Sequence, residues 1–331
     1  MERQADFTLP QPILTGDERA KELSLMRVEF KDPEADRLIA ARARRDPSLL
    51  LESSDRHTSY LAGTRLDEAV YFDYVETVQV ALEAGVHPDD PRAFQATLLG
   101  GGQVGQQRLI AYRVSTMEGR FPRPRMLELA LKHGADPDGD IEAFESGRSN
   151  SHVRRYATDL HDFNGSLALA RLPDTLECIR LLLNANPRCI DPDEAGSNRE
   201  WYGFLALLGS ASALKSRPSL TSDLAKQFRS VAVLALAKGA SLNYVVPDEG
   251  LPQALWLARA GWPTMSAILV ELGAADSWKL EPGVNPESFF SGEGLAFYRE
   301  ALMRRRLQHE VGKAADIAGQ AARSCRRGAR L

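Results

Sequence analysis

Residues 126–140 read MLELALKHGADPDGD, and this stretch decides the fold. Leu127, Ala130 and Leu131 form an apolar helix stripe, with Lys132 and His133 where the negative end of the helix dipole favours cations. Gly134 can adopt the left-handed conformation that closes a helix by satisfying its last carbonyls. Pro137 cannot continue the helix, and Asp138 and Gly139 form turns. The same grammar recurs in ALEAGVHPDD (81–90), LLLNANPRCI (181–190), LALAKGASLN (234–243) and LVELGAADSW (269–278). Aligned on the stop, Gly85, Gly134, Asn184, Gly239 and Gly273 share one position. Val86, Ala135, Ala185, Ala240 and Ala274 share the next. Asparagine tolerates the left-handed region best after glycine, so Asn184 is expected to act as a stop too.

The stops lie 49, 50, 55 and 34 residues apart, the spacing of a helical repeat with insertions. After two of them, Asp90-Pro91-Arg92-Ala93-Phe94 and Asp140-Ile141-Glu142-Ala143-Phe144 open the next unit with one shared pattern. Asp32 and Pro33 predict a helix start, and ADRLIAARARR carries that helix to Asp46-Pro47. Further helices are predicted over 17–26, 73–84, 201–214, 222–238 and 294–317. Leu176, Ile179, Leu182 and Leu183 have the spacing of a packed helix, with Cys178 on the same face as a core residue. Residues 1–31 read as a loosely attached leader. The fold class is therefore all-α, an α-solenoid of stacked helix-turn-helix repeats. It divides into a leader and capping helix (1–58), about five repeats (59–280) and a basic helical cap and tail (281–331).

At 331 residues the chain is long enough for a sizeable core, and its 44% hydrophobic and 26% charged composition is ordinary for a globular protein. Charge is unevenly spread. Residues 296–331 hold nine Lys/Arg against three Asp/Glu, so with −4 overall the preceding 295 residues carry −10. Three cysteines without C-x-x-C spacing exclude a disulfide framework or zinc site and point to a reducing compartment. No secretory signal or membrane span is expected. The expected location is the cytoplasm, or a host cell reached by leaderless export.

The run Gly250-Leu251-Pro252-Gln253-Ala254-Leu255-Trp256-Leu257-Ala258-Arg259-Ala260-Gly261, followed by Met265, Ile268, Leu269 and Leu272-Gly273-Ala274, resembles an ankyrin repeat. The twelve-residue step from Gly261 to Gly273 matches the ankyrin spacing from the inter-helix glycine to the terminal Gly-Ala. Ankyrin repeats begin their first helix with Thr-Pro-Leu-His. Here the proline is offset by one place and the histidine is absent. The resemblance covers roughly 60–280. It implies stacked helix pairs whose turn tips and first-helix faces form a concave surface for a partner protein. Carried over by position, it assigns His87, Asp89, Asp138, Arg188 and Tyr244 to the tips. Trp201, Tyr202 and Trp256 fall near first-helix starts, where such side chains either anchor an interface or pack in the core.

Motifs with catalytic overtones have simpler readings. Gly100-Gly101-Gly102-Gln103-Val104-Gly105 fits G-x-G-x-x-G, but Asp90-Pro91 before it favours a helix start, and Glu118 lies in no buried strand; an inter-helix turn accounts for it. Asp136–Glu142 lacks the glycine and glutamate positions of a calcium loop, and His161-Asp162 has no companion ligands. The expectation is a non-enzymatic interaction module, an effector or adaptor, with no catalytic residue, cofactor or metal. Two alternatives stand beside it. One is an enzyme with its site in the irregular 98–125 or 281–331 segments. The other is nucleic-acid binding through the C-terminal helix with Arg304, Arg305 and Arg306.

Overall fold

The computed structural model describes residues 8–26, 33–53, 61–90, 93, 97–98, 123–135, 165–185, 221–238, 245–246, 250–259, 261–278 and 280–328. Among these the protein is mostly helical. Ten α-helices are α1 (Gly16–Leu25), α2 (Pro33–Arg45), α3 (Arg65–Tyr71), α4 (Val75–Glu83), α5 (Pro124–Lys132), α6 (Gly165–Asn184), α7 (Ser222–Ala237), α8 (Gln253–Arg259), α9 (Pro263–Glu271) and α10 (Glu293–Gly328). Four two-residue strands make two antiparallel pairs, β1 (Leu61–Ala62) with β2 (Thr97–Leu98) and β3 (Val245–Val246) with β4 (Leu251–Pro252). The run before Gly100, read from sequence as a helix start, thus contributes a short strand instead. The chain forms two compact units, one of Met1–Asp159 with Leu169–Cys189, the other of Leu160–Ala168 with Ile190–Leu331.

Among the described residues each unit contains one hairpin with both helices closed by left-handed residues, and the two are built alike. In α3–α4 a left-handed residue, Asp73 (φ 63°), closes the first helix, and another, Gly85 (φ 96°), closes the second twelve positions later. In α8–α9 Gly261 (φ 91°) and Gly273 (φ 111°) repeat that step. At Asp73, Gly85 and Gly261 the closing residue and the one after it donate backwards to two late carbonyls. Tyr74 N reaches Ala69 O at 2.8 Å, Val86 N reaches Ala81 O at 3.1 Å, and Trp262 N reaches Leu257 O at 2.8 Å. Gly134 closes α5 in the same way, with Ala135 N to Ala130 O at 3.0 Å. These paired bonds satisfy carbonyls that a helix end would leave open, and they turn the chain within two or three residues. Asn184 is the last residue of α6, as expected, but its backbone stays right-handed, and Ala185 N donates to Leu181 O and Leu182 O, both at 3.1 Å. Gly239 lies outside the described residues.

In the first unit α4 packs on α2, α3 and α5. Leu49, Leu50, Leu66, Val70, Val78 and Ala81 fill the space between them without exposure, joined by Met126 and Leu127 of α5. On α6, Leu176, Cys178, Ile179, Leu182 and Leu183 are all fully buried, as their spacing predicts. The start of α3 is held by a capping box. Asp67 N donates to Thr64 Oγ1 at 3.2 Å, and Thr64 N donates to Asp67 Oδ2 at 2.7 Å. The start of α4 lacks a cap of its own, and α2 supplies one. Asp36 accepts from Glu76 N at 3.0 Å, Thr77 N at 2.9 Å and Thr77 Oγ1 at 2.7 Å.

The leader is fastened rather than loose. Asp46, without exposure, accepts from Ile13 N at 3.1 Å, Leu14 N at 2.9 Å, Arg19 Nη1 at 2.7 Å and both Ser48 donors. Glu22 of α1 pairs with Arg42 at 2.6 Å and Arg45 at 2.5 Å on α2. Sequence alone hid this, because the partners are separated by 20 to 33 residues.

In the second unit α9 is central, packed against α7, α8 and α10. Phe228, Val231, Ala232 and Ala235 of α7 face Met265, Leu269 and Val270 of α9, all essentially unexposed. Tyr298 of α10 stacks on Phe290 with ring centroids 4.3 Å apart and lies parallel to Trp278 at 6.4 Å.

Two outcomes follow from these fastenings. A Cβ at Gly85 would meet nothing within 4 Å, so Gly85→Ala tests the left-handed backbone alone. It should destabilise the protein by about 1–2 kcal/mol in urea unfolding, and Gly85→Asn by less. Asp46→Ala should release the leader, seen as faster limited proteolysis within residues 8–26 while the helices beyond α2 keep their protection.

Candidate partner-binding surfaces

The first candidate surface is the tip after α4. Beyond the stop, Asp90 N donates to His87 O at 3.0 Å and Asp89 N to His87 Nδ1 at 3.1 Å, which fixes a tight turn. A Cβ at Gly134 would lie 3.6 Å from His87 Nε2, so the ring spans from one helix stop to the next. Arg123, at the start of α5, likewise reaches back to the first hairpin. Its Nη1 donates to Val70 O at 2.6 Å and lies 3.7 Å from Asp73. The first hairpin and α5 are therefore tied together through their turns. His87 and Asp89 are half-buried. Leader residues Thr8, Leu9, Pro10 and Gln11 line a cleft with Ala84, Gly85 and His87. That neighbourhood carried no local sequence signal.

Of the other residues assigned to the binding edge, Asp138, Arg188, Trp201, Tyr202 and Tyr244 lie outside the described residues. Trp256 is described. It is 8% exposed, on α8 between the buried Leu255 and Leu257, so of its two readings the structure shows packing. The glycines at 100–105, the acidic turn beyond 135 and the His161-Asp162 pair also fall outside the described residues.

The second candidate surface was not legible from sequence. In the second unit Ala225, Lys226 and Arg229 of α7, Thr264, Ala267, Ile268 and Glu271 of α9, and Phe297, Glu300, Ala301 and Arg304 of α10 line an open groove of about 290 Å³. Ala225, Ala267, Ile268, Phe297 and Ala301 give it an apolar lining. Glu271 organises the wall. Arg229 grips it with both terminal nitrogens, at 2.9 and 2.7 Å, and Arg304 approaches at 3.5 Å. Arg304 also holds Glu300 at 2.5 Å, while Arg305 holds Asp276 at 2.6 Å. Thus two of the three consecutive arginines fasten α10 to the second unit. The partners of Glu271 stand 42 and 33 residues away in the chain, beyond any spacing rule.

The hydrogen bonds from Arg229 hold the Glu271 carboxyl below the usual range, against the opposing effect of burial and with further help from Arg304. Arg229 is raised in turn by the same contact. A groove lined by apolar residues, two acids and three cations can take a helix or extended segment bearing both apolar and charged side chains.

Comparisons with protein-family models, curated proteins and solved structures find no match to this chain.

The lowered carboxyl has a measurable consequence. Glu271 ionises more readily folded than unfolded, so its stabilisation is complete above its ordinary value of 4.5 and disappears as pH falls through the lowered one. Wild-type stability should therefore fall with acid below about pH 4.5, and Glu271→Gln should show a shallower fall in that window, read by chemical denaturation at stepped pH.

Proposed function

We propose that residues from about 60 to 280 form an ankyrin-like α-solenoid that acts as a non-enzymatic interaction module, binding a partner protein along its concave face. The observation that carries this reading is the hairpin seen in each unit among the described residues, with left-handed residues twelve positions apart closing both of its helices. Two further features support it. Thr64-Arg65-Leu66-Asp67 stands where ankyrin repeats have Thr-Pro-Leu-His, with the aspartate carboxyl taking the bond back to the cap. Within each unit, helices that precede successive stops lie side by side, α4 on α5 and α7 on α9. A single helix pair cannot bury its apolar stripe alone, and stacking such pairs gives each a neighbour.

On this reading the tips form the binding edge, with His87, Asp89, Asp138, Arg188 and Tyr244 contacting the partner. The basic tail and α10 cap the array. An effector or adaptor acting inside a cell fits a reducing compartment and a chain with few cysteines.

Affinity capture with wild-type protein beside Asp89→Arg and Asp138→Arg tests the proposal. Partners retained by the wild type and lost from either variant, at unchanged thermal stability, are the expected result. Equal retention of every specific partner by both variants overturns it.

A further inference from the structure

Helix α10 has two sides of different character. Its 36 residues span about 54 Å. Gly294, Tyr298 and Ala301 are buried and Arg305 half-buried on the side that packs on α9. From Arg306 to Asp316 every residue is exposed. On the side turned away from α9, Met303, Leu307 and Val311 form an apolar stripe at helical spacing, 57%, 59% and 69% exposed. A helix that closes a stacked array needs a polar outer face. Here the outer face is the apolar one, and the distal half of the helix has no bed within its own unit among the described residues.

We propose that two copies of this chain pair antiparallel through the outer faces of α10, about a two-fold axis at Leu307 and Gln308. This sets Leu307 against its own symmetry mate and Met303 against Val311 of the second copy. Arg306 and Glu310 lie four residues apart along one edge of the stripe, one on each side of that axis and within one residue of equal distance from it. The antiparallel arrangement brings each Arg306 opposite Glu310 of the second copy, twice over. A parallel pairing would set arginine against arginine, so the edge is self-complementary in one direction only. The same register lays the unsupported distal half of each helix along the anchored half of the other. The small residues Ala314 and Ala315 in that distal half permit close approach. An isolated helical segment of this length is marginal in water, and the pairing gives it a surface to fold against.

Sedimentation equilibrium on the full chain tests the pairing. The wild type should be a dimer that dissociates on dilution, and Leu307→Glu a monomer with unchanged far-UV circular dichroism. Arg306→Glu and Glu310→Arg should each raise the dimer dissociation constant by about tenfold, and the double variant should recover most of that loss. Under oxidation Met303→Cys mixed with Val311→Cys should give a cross-linked dimer that neither gives alone. A wild type that stays monomeric at all concentrations, including one that binds vesicles of anionic lipid as a monomer, overturns the proposal. So does a dimer indifferent to Leu307→Glu, or a double variant no tighter than the single ones.

Discussion

The structure depends on a backbone constraint, the left-handed residue that ends a helix and turns the chain back. At Asp73, Gly85, Gly134 and Gly261 this residue and its successor bond to two late carbonyls, so the helix finishes with its acceptors satisfied. The turn occupies so few residues that the next helix must pack against the one just completed. Hence α3 lies on α4, and α8 on α9. Asp73 shows that position matters more than residue type. It is the single non-glycine residue with positive φ among the described residues. An aspartate bears that conformation at modest cost, and here Arg123 approaches its carboxylate.

Helix packing supplies most of the burial, but buried or half-buried carboxylates join elements remote in sequence. Asp46 gathers the leader, Glu22 joins α1 to α2, Asp36 caps α4 from α2, and Glu271 ties α7 to α9 and α10. Each has several donors around it, as a desolvated charge requires. Asp46 illustrates the balance. Burial alone would raise its carboxyl, yet donation from Ser48, Leu14 and Ile13 together holds it below the usual range. Glu22 is lowered chiefly by the hydrogen bond from Arg42. For Asp46, Glu22 and Glu271 the stabilisation is lost only as pH falls through the lowered values.

The basic C-terminal helix takes on a different meaning in this light. Arg304 and Arg305 are used up in fastening it, and Tyr298 sits in an aromatic cluster. Burial raises the Tyr298 phenol, and the ring is not free to stack on a base. What the helix offers outward is an apolar stripe edged by charge, a surface better suited to another helix than to a phosphate backbone.

Sequence by itself determined the helical class, the glycine stops at 85, 134 and 273, the start of α2 at Pro33 and the buried stripe of α6. All of these depend on residues within a few positions of one another, where backbone sterics and helical periodicity act. Asn184 marks the boundary of that legibility. Its type permits a left-handed stop, and α6 does end there, but with a right-handed backbone. Trp256 marks it for side chains, since an interface anchor and a core residue have the same sequence signature. Only the tertiary structure decided that Asp36 caps a helix forty residues on, that Asp46 holds the leader, and that Glu271 receives Arg229 and Arg304. Such contacts follow from which helix faces come together, and local spacing carries no record of them.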